Sequence, residues 1–154
     1  MHTIGIIGAE SVGKTTLCRY LAHEFGGWTE DEYARGYVEA LNRPYNREDV
    51  LRIARYQIDR EMELRAKLSI SGFDYVFFDT ELIMTKVWLL DKYGDCPGWI
   101  ERHIERHPLD LYLLLRPNIP FVADPVRENG HRREELTEWY ERELRRYSVV
   151  YRII

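Results

Sequence analysis

Residues 8–15 have the sequence GAESVGKT, which fits the spacing G-x-x-x-x-G-K-[ST] of a phosphate-binding P-loop. Gly8 and Gly13 allow a tight backbone turn, so that successive N–H groups can point at one anion. Lys14 would place its positive charge on the β- and γ-phosphates, and the hydroxyl of Thr15 would bind Mg²⁺. The segment therefore predicts a site for a nucleoside triphosphate with Mg²⁺.

The residues on either side of the loop support this interpretation. A buried strand is predicted for residues 3–7 and a helix for residues 16–25, and strand, glycine-rich loop and helix is the order that a P-loop requires. Tyr20 and Phe25 are predicted to lie on the apolar side of that helix. The predicted contacts to ATP come from the loop and the first helical turn: Gly8, Glu10, Ser11, Val12, Gly13, Lys14, Thr15 and Thr16.

The composition argues against several classes of protein. At 154 residues the chain is long enough for one domain with its own core, and residues 1–154 are treated as a single domain. The formal net charge of −4 does not suit a nucleic-acid-binding protein, and no run of about 18 apolar residues could cross a bilayer. The P-loop begins too early to leave room for a signal peptide. Cys18 and Cys96 lack metal-site spacing, so we expect two reduced thiols in a cytoplasmic protein.

Strand-like and helical segments alternate along the whole chain. Asn46 is predicted to cap a helix that runs to about residue 68. This alternation predicts an α/β fold with a five-stranded, doubly wound parallel sheet and helices on both faces. Ligands of such folds bind at the carboxyl ends of the strands. The five predicted strands are 3–7, 28–32, 73–79, 109–115 and 148–154.

The most apolar strand ends in an acid. Residues 73–79 suit a central strand, and Asp79 lies where that strand leaves the core. In a chain with a P-loop, an apolar strand that ends in Asp is typical of the second Mg²⁺ anchor, although such an acid can simply mark the end of a strand. Thr80 is predicted to cap the helix that follows, and Glu81 adds a second carboxylate.

Two further polar side chains stand out by position. Glu32 ends the second predicted strand, on the edge of the sheet where ligands bind. Gln57 falls on the apolar stripe of its helix, with Val50, Ile58 and Met62. A buried amide needs hydrogen-bond partners, so Gln57 either bonds neighbouring protein groups or faces a ligand.

Residues 116–130 are rich in proline and turn residues, and three arginines cluster near the start of the next helix. Arg127, Arg132 and Arg133 could form a solvated surface with nearby glutamates. Alternatively, residues 118–133 form an arginine-bearing lid over the transferring phosphates. We favour the lid, because this segment follows the carboxyl end of a strand.

With these residues in view, nearly the whole chain resembles the ribosylnicotinamide kinase domain of the bacterial NadR family, a group of P-loop kinases with the nucleoside/nucleotide kinase fold. The resemblance implies transfer of a phosphoryl group from ATP to the 5′-hydroxyl of nicotinamide riboside, with Mg²⁺ as cofactor. The P-loop alone indicates only an NTPase, and the other stretches are far more specific. The stretches that carry the resemblance are 8–15, 32–35 (EYAR), 53–57 (IARYQ), 77–81 (FFDTE) and 119–127 (IPFVADPVR).

The resemblance also implies roles for individual residues. Glu32 looks like the carboxylate that orients the attacking hydroxyl or accepts its proton, with Asp79 as a rival base. Arg127 would be the lid arginine that contacts ATP and assists catalysis together with Lys14. Tyr33, Tyr37 and Trp88 are candidates to flank the pyridinium ring, or are ordinary core aromatics. The implied substrate residues are Glu32, Tyr33, Arg35, Gln57, Asp79 and Glu81, and the implied metal ligands are Thr15 and Asp79.

The chain departs from the family pattern in three places. Glu81 stands where the family often has Asp, Pro125 replaces a common glycine, and the sequence stops at Ile154, where relatives usually continue into a helix. We expect either a shortened form or a sheet covered by another subunit of a homo-oligomer. Two other functions stay open: a kinase of another nucleoside or deoxynucleoside, and a P-loop ATP-binding switch without a small-molecule acceptor.

Overall fold

The computed structural model describes residues 1–118 and 130–154, and its centre is a five-stranded sheet in which every pair of neighbouring strands is parallel. The strand order is β2-β3-β1-β4-β5. The strands are β1 (His2–Gly8), β2 (Trp28–Glu30), β3 (Tyr75–Asp79), β4 (Leu111–Leu115) and β5 (Tyr151–Ile153). The helices are α1 (Lys14–Phe25), α2 (Tyr33–Ala40), α3 (Arg47–Ser71), α4 (Leu82–Tyr93), α5 (Gly98–Arg106) and α6 (Arg133–Arg146), the last preceded by a 3₁₀ turn (Gly130–Arg132).

The strand order explains why helices cover both faces of the sheet. From β1 the chain moves outward to β2, whereas from β3 it crosses back over β1 to β4. Crossovers between parallel strands are right-handed, so steps in opposite directions place α1 on one face and α4 and α5 on the other. The predicted five-stranded parallel α/β fold is confirmed.

The sheet register brings the ends of the central strands together. Ile6 pairs with Asp79 across β1 and β3, and Gly8 pairs with Leu115 across β1 and β4. The acid at the end of β3 therefore lies beside the start of the P-loop. This follows from the near-continuous apolar character of the three central strands, which are covered on both faces.

Helix burial differs from the prediction at three aromatic or apolar positions. On α1 the buried residues are Cys18 and Ala22, one turn apart, whereas Tyr20 and Phe25 are more than half exposed. Met62 of α3 is also exposed. A helix lying on a flat sheet buries only a narrow stripe, so residues that flank the stripe stay at the surface.

The predicted start of α3 is confirmed in detail. Asn46 accepts a hydrogen bond from the Asp49 N–H at 3.0 Å, and Asp49 accepts one from the Asn46 N–H at 2.8 Å. This reciprocal capping box satisfies two N–H groups that the helix itself leaves unpaired.

Cys18 and Cys96 are both free thiols. Within the described residues, no helix is both long enough and apolar enough to span a membrane.

Candidate active site

The P-loop connects the end of β1 to the start of α1 through a backbone that needs glycine at two points. Gly13 occupies the N-cap position of α1 in the left-handed region, with φ of 90°. Gly8 has φ of 155°, and a Cβ there would lie 2.9 Å from both the Leu115 carbonyl oxygen and Val12 Cγ2. Side chains at either position would strain the loop or force it away from β4. The loop geometry therefore depends on these two glycines.

The Lys14 side chain folds back over the loop. Its Nζ donates hydrogen bonds to the carbonyl oxygens of Gly8 at 3.0 Å and of Ala9 at 2.9 Å. Lys14 is also the first residue of α1, so its charge and the N-terminus of the helix lie on the same loop. Both contributions favour an anion at this position.

The hydroxyl of Thr15 and the carboxylate of Asp79 meet behind the loop. Thr15 Oγ1 donates to Asp79 Oδ2 at 2.5 Å, although the residues are 64 positions apart. Asp79 is only 2% exposed, and within the described residues its Oδ1 has no hydrogen-bond partner. Burial raises the pKa of Asp79, while the Thr15 hydrogen bond and the Lys14 charge oppose that shift.

An orphaned, buried carboxylate oxygen beside a hydroxyl fits a Mg²⁺ site. Mg²⁺ prefers oxygen ligands and binds proteins through one or two side chains, with phosphates and waters completing its shell. Thr15 and Asp79 provide such a pair next to the loop. Among the described residues, no group of three or more His, Cys, Asp or Glu side chains is placed to hold a metal ion.

A first cavity of about 210 Å³ extends from the P-loop between α2, α4 and α6. Of the predicted ATP contacts, residues 10–16 line this cavity together with Glu32 and Arg35. Gly8 does not line it, and Arg127 lies outside the described residues. Arg35 lies 3.9 Å from the carboxylates of both Glu32 and Glu39. The structure therefore brings the phosphate side and two predicted substrate residues into one space.

The far wall of the first cavity is aromatic. The indole N–H of Trp88 donates to Tyr45 Oη at 3.2 Å, and the two rings meet edge to face with centroids 5.0 Å apart. Tyr140 of α6 lines the same cavity. Tyr45 was not predicted, because it lies in a short loop between Pro44 and the helix cap, where periodicity carries no signal.

Three of the other predicted substrate residues line a second cavity, of about 40 Å³, whereas Asp79 borders neither cavity. Tyr33, Gln57 and Glu81 border this second cavity, and Thr80 borders both cavities. Gln57 accepts a hydrogen bond from Thr85 at 2.6 Å, and Thr85 lines the first cavity. The predicted substrate residues are thus divided between two neighbouring spaces.

The other two predicted aromatic candidates are held by protein groups. Tyr33 stacks on Tyr56 with centroids 3.6 Å apart. Tyr37 donates to Asp49 Oδ1 at 2.9 Å and borders neither cavity. Of the three candidates, only Trp88 lines the space beside the P-loop.

The helix cap after β3 is Glu81, and the prediction of Thr80 was wrong. Glu81 Oε1 accepts a hydrogen bond from the Ile83 N–H at 2.9 Å. Thr80 has φ of 73°, and within the described residues its hydroxyl has no partner. A carboxylate one residue later reaches the first free N–H groups of α4 without distorting them. Burial of Glu81 raises its pKa to about 8.

Arg127 and most of the predicted lid lie outside the described residues. Arg132 forms paired hydrogen bonds of 2.9 Å with Asp91 and also bonds Glu135. Arg133 Nη2 donates to the Ser11 carbonyl oxygen of the P-loop at 3.1 Å. Arg132 therefore pairs with acids, as expected for a solvated surface, whereas Arg133 contacts the phosphate-binding loop.

A P-loop at the carboxyl end of a central strand, beside an acid on the neighbouring strand, defines a P-loop NTPase with a kinase-like fold. Residues 3–154 match the family model described as an AAA domain, and the chain belongs to that family.

Several similar proteins, both curated relatives and solved structures, are NadR proteins. The trifunctional NAD biosynthesis/regulator protein NadR of Salmonella typhimurium (strain LT2) is 29% identical over 137 residues, which are 84% of this chain and 32% of the relative. The crystal structure of NadR in complex with NR matches 99% of this chain and 45% of that one, at 25% identity and a TM-score of 0.80. The NadR structure with NAD and AMP-PNP gives 26% identity, a TM-score of 0.77 and coverage of 99% and 44%. The chain spans about a third of the length of the curated relatives it matches.

Proposed function

We propose that this chain transfers the γ-phosphoryl group of ATP to the 5′-hydroxyl of nicotinamide riboside, giving nicotinamide mononucleotide. The observation that carries the proposal is the first cavity, in which the P-loop faces Glu32 and Arg35. The similarity to NadR, solved with NR and with AMP-PNP, supports the choice of donor and acceptor. The proposal concerns this kinase activity alone, because the relatives are about three times as long.

The phosphate side acts by position and charge. The loop N–H groups and the N-terminus of α1 hold the phosphates, and Lys14 exchanges its two carbonyl contacts for phosphate oxygens. Thr15 and Asp79 hold Mg²⁺, which when bound neutralises charge on the β- and γ-phosphates. Arg127 adds positive charge from the lid in this proposal.

On the acceptor side, we assign Glu32 to the attacking hydroxyl. Glu32 lines the first cavity, whereas Asp79 is engaged by Thr15 and borders neither cavity. A carboxylate that orients the hydroxyl in line with the γ-phosphate supplies most of what this chemistry needs, because the proton leaves late. Arg35, held near Glu32, contacts substrate hydroxyls or the incoming phosphate.

The test is ADP release from ATP and Mg²⁺ across a panel of nucleosides, with the product identified by mass. We expect strong stimulation by nicotinamide riboside and formation of its 5′-monophosphate. Lys14→Ala should abolish turnover, since it removes the charge beside the phosphates. Lys67→Ala is the matched control, because Lys67 is an exposed lysine paired with Glu63 on α3.

The outcomes separate the alternatives. Stimulation by a different nucleoside, with no effect of nicotinamide riboside, would refute the acceptor and keep the kinase. Nucleotide binding without stimulation by any nucleoside would favour a switch. Full turnover of Lys14→Ala would refute the role of the P-loop.

Free thiols at Cys18 and Cys96 fit the cytoplasmic location that we propose for the enzyme.

A further inference from the structure

The second cavity is a small space that adjoins the first at Thr80. Thr80 forms part of both walls, and the Gln57–Thr85 hydrogen bond spans the boundary between them. Its volume of about 40 Å³ accommodates roughly three waters, or a planar group of three heavy atoms. At the boundary, the hydroxyl of Thr80 is buried and, within the described residues, has no hydrogen-bond partner. A polar ligand group would satisfy this hydroxyl.

The walls of this cavity are acidic. Glu61 and Glu81 line it and are each only 8% exposed. Glu61 bonds His103 at 2.7 Å and accepts hydrogen bonds of 3.0 and 2.7 Å from Arg65. Arg60, the only arginine that borders the cavity among the described residues, is held by Glu30 at 2.9 and 3.2 Å. Arg60 and His103, which border this cavity, are therefore already paired with acids.

This arrangement distinguishes a carboxamide from a carboxylate. A carboxylate would enter beside the buried acid Glu61, and no uncommitted arginine among the described residues borders the cavity to neutralise it. A carboxamide carries no charge, and its N–H groups can donate to the glutamate oxygens. Tyr112 Oη accepts the Leu109 N–H at 3.1 Å, so its own hydrogen is available to an amide carbonyl.

Burial raises the pKa of Tyr112, so its hydroxyl stays protonated and can donate a hydrogen bond.

We propose that the second cavity is a specificity subsite that receives an uncharged carboxamide on the nucleobase and excludes the corresponding carboxylate. The inference rests on the proposed function, since it presumes a pyridine riboside in the first cavity. The base then spans the boundary at Thr80, with its ribose toward Glu32 and its carboxamide among Glu61, Glu81 and Tyr112.

The test compares kcat/KM for nicotinamide riboside and nicotinic acid riboside at pH 7. We expect the wild type to prefer the carboxamide by about 100-fold, because burying an uncompensated charge is costly. Glu61→Gln removes the acid that pairs with Arg65 and His103, so these groups could then neutralise a carboxylate in the cavity. The preference for the carboxamide should therefore fall at least about tenfold. Gln57→Lys, which adds a cation to the cavity, should reduce it in the same direction. Glu48→Gln is the matched control on α3, since Glu48 is exposed and borders neither cavity.

Each other outcome has a separate meaning. Equal use of both ribosides, or preference for the carboxylate, overturns the subsite and leaves the kinase function standing. Phosphorylation of neither riboside overturns the proposed function and the subsite together. A preference that neither Glu61→Gln nor Gln57→Lys changes, in folded protein, shows that the discrimination arises outside this cavity and also overturns the proposal.

Discussion

Replacement of Glu81 by Gln should change how the stability of this protein depends on pH. Burial raises the pKa of Glu81 from the ordinary value of 4.5 to about 8. Between these two values the native protein holds a proton that the unfolded chain has released, so the free energy of unfolding falls as pH rises. Gln cannot ionise, and its side-chain oxygen can still accept the Ile83 N–H that Glu81 accepts.

The size of the effect follows from the shift in pKa. One unit corresponds to about 1.4 kcal/mol, so the wild type should lose about 4 kcal/mol from this group between pH 5 and pH 8. The advantage of Glu81→Gln over the wild type should therefore grow by about 4 kcal/mol over that range. Glu61, His103 and Tyr112 face the same cavity and are present in both proteins, so their shared contributions cancel in the comparison.

The assay is urea unfolding followed by circular dichroism at pH 5, 6, 7 and 8, at constant ionic strength. Glu105→Gln is the control, because Glu105 is exposed on α5. A difference between wild type and Glu81→Gln that stays constant within about 1 kcal/mol from pH 5 to pH 8 would refute the argument that Glu81 is buried as a neutral acid.

Four further substitutions test the site and the sheet. Asp79→Asn should lower kcat by about 100-fold or more by removing the anionic Mg²⁺ ligand, and unchanged Mg²⁺-dependent turnover would contradict the metal role. Glu32→Gln should lower turnover far more than ATP affinity, and a loss of ATP binding alone would show that Glu32 does not act on the acceptor. Gly27→Ala should cost about 1–3 kcal/mol in urea unfolding, since its Cβ would lie 2.8 Å from Phe77 Cε2 and 2.9 Å from the Tyr75 carbonyl oxygen. Gly36→Ala, with nothing within 4 Å, should not destabilise, and equal losses at both glycines would contradict this reasoning.

The phosphate side of the site could be predicted because its determinants are contiguous. Gly8, Gly13 and Lys14 act through backbone conformation and position at a helix start, and these are properties of eight adjacent residues. The strand order was not needed to expect Asp79 near the loop, because acids that end central parallel strands all face the same edge of the sheet.

The substrate side was predicted less completely. Glu32, Gln57 and Glu81 were expected to share one site, but packing of α3, α4 and α5 divides them between two cavities. Tyr45 was missed because it lies in a loop, and the Glu61–His103 contact joins residues 42 positions apart. No local pattern encodes such distances.

The sequence by itself therefore determined the P-loop, the parallel α/β class and the acid that ends β3. Each of these follows from the local conformational preferences and the apolar pattern of neighbouring residues. Tertiary structure decided which aromatic residues are exposed, which residue caps α4, and how the polar groups are distributed between the two cavities. Those features depend on which side chains meet across helices and strands that are distant in the chain, and only the packed fold brings them within bonding distance.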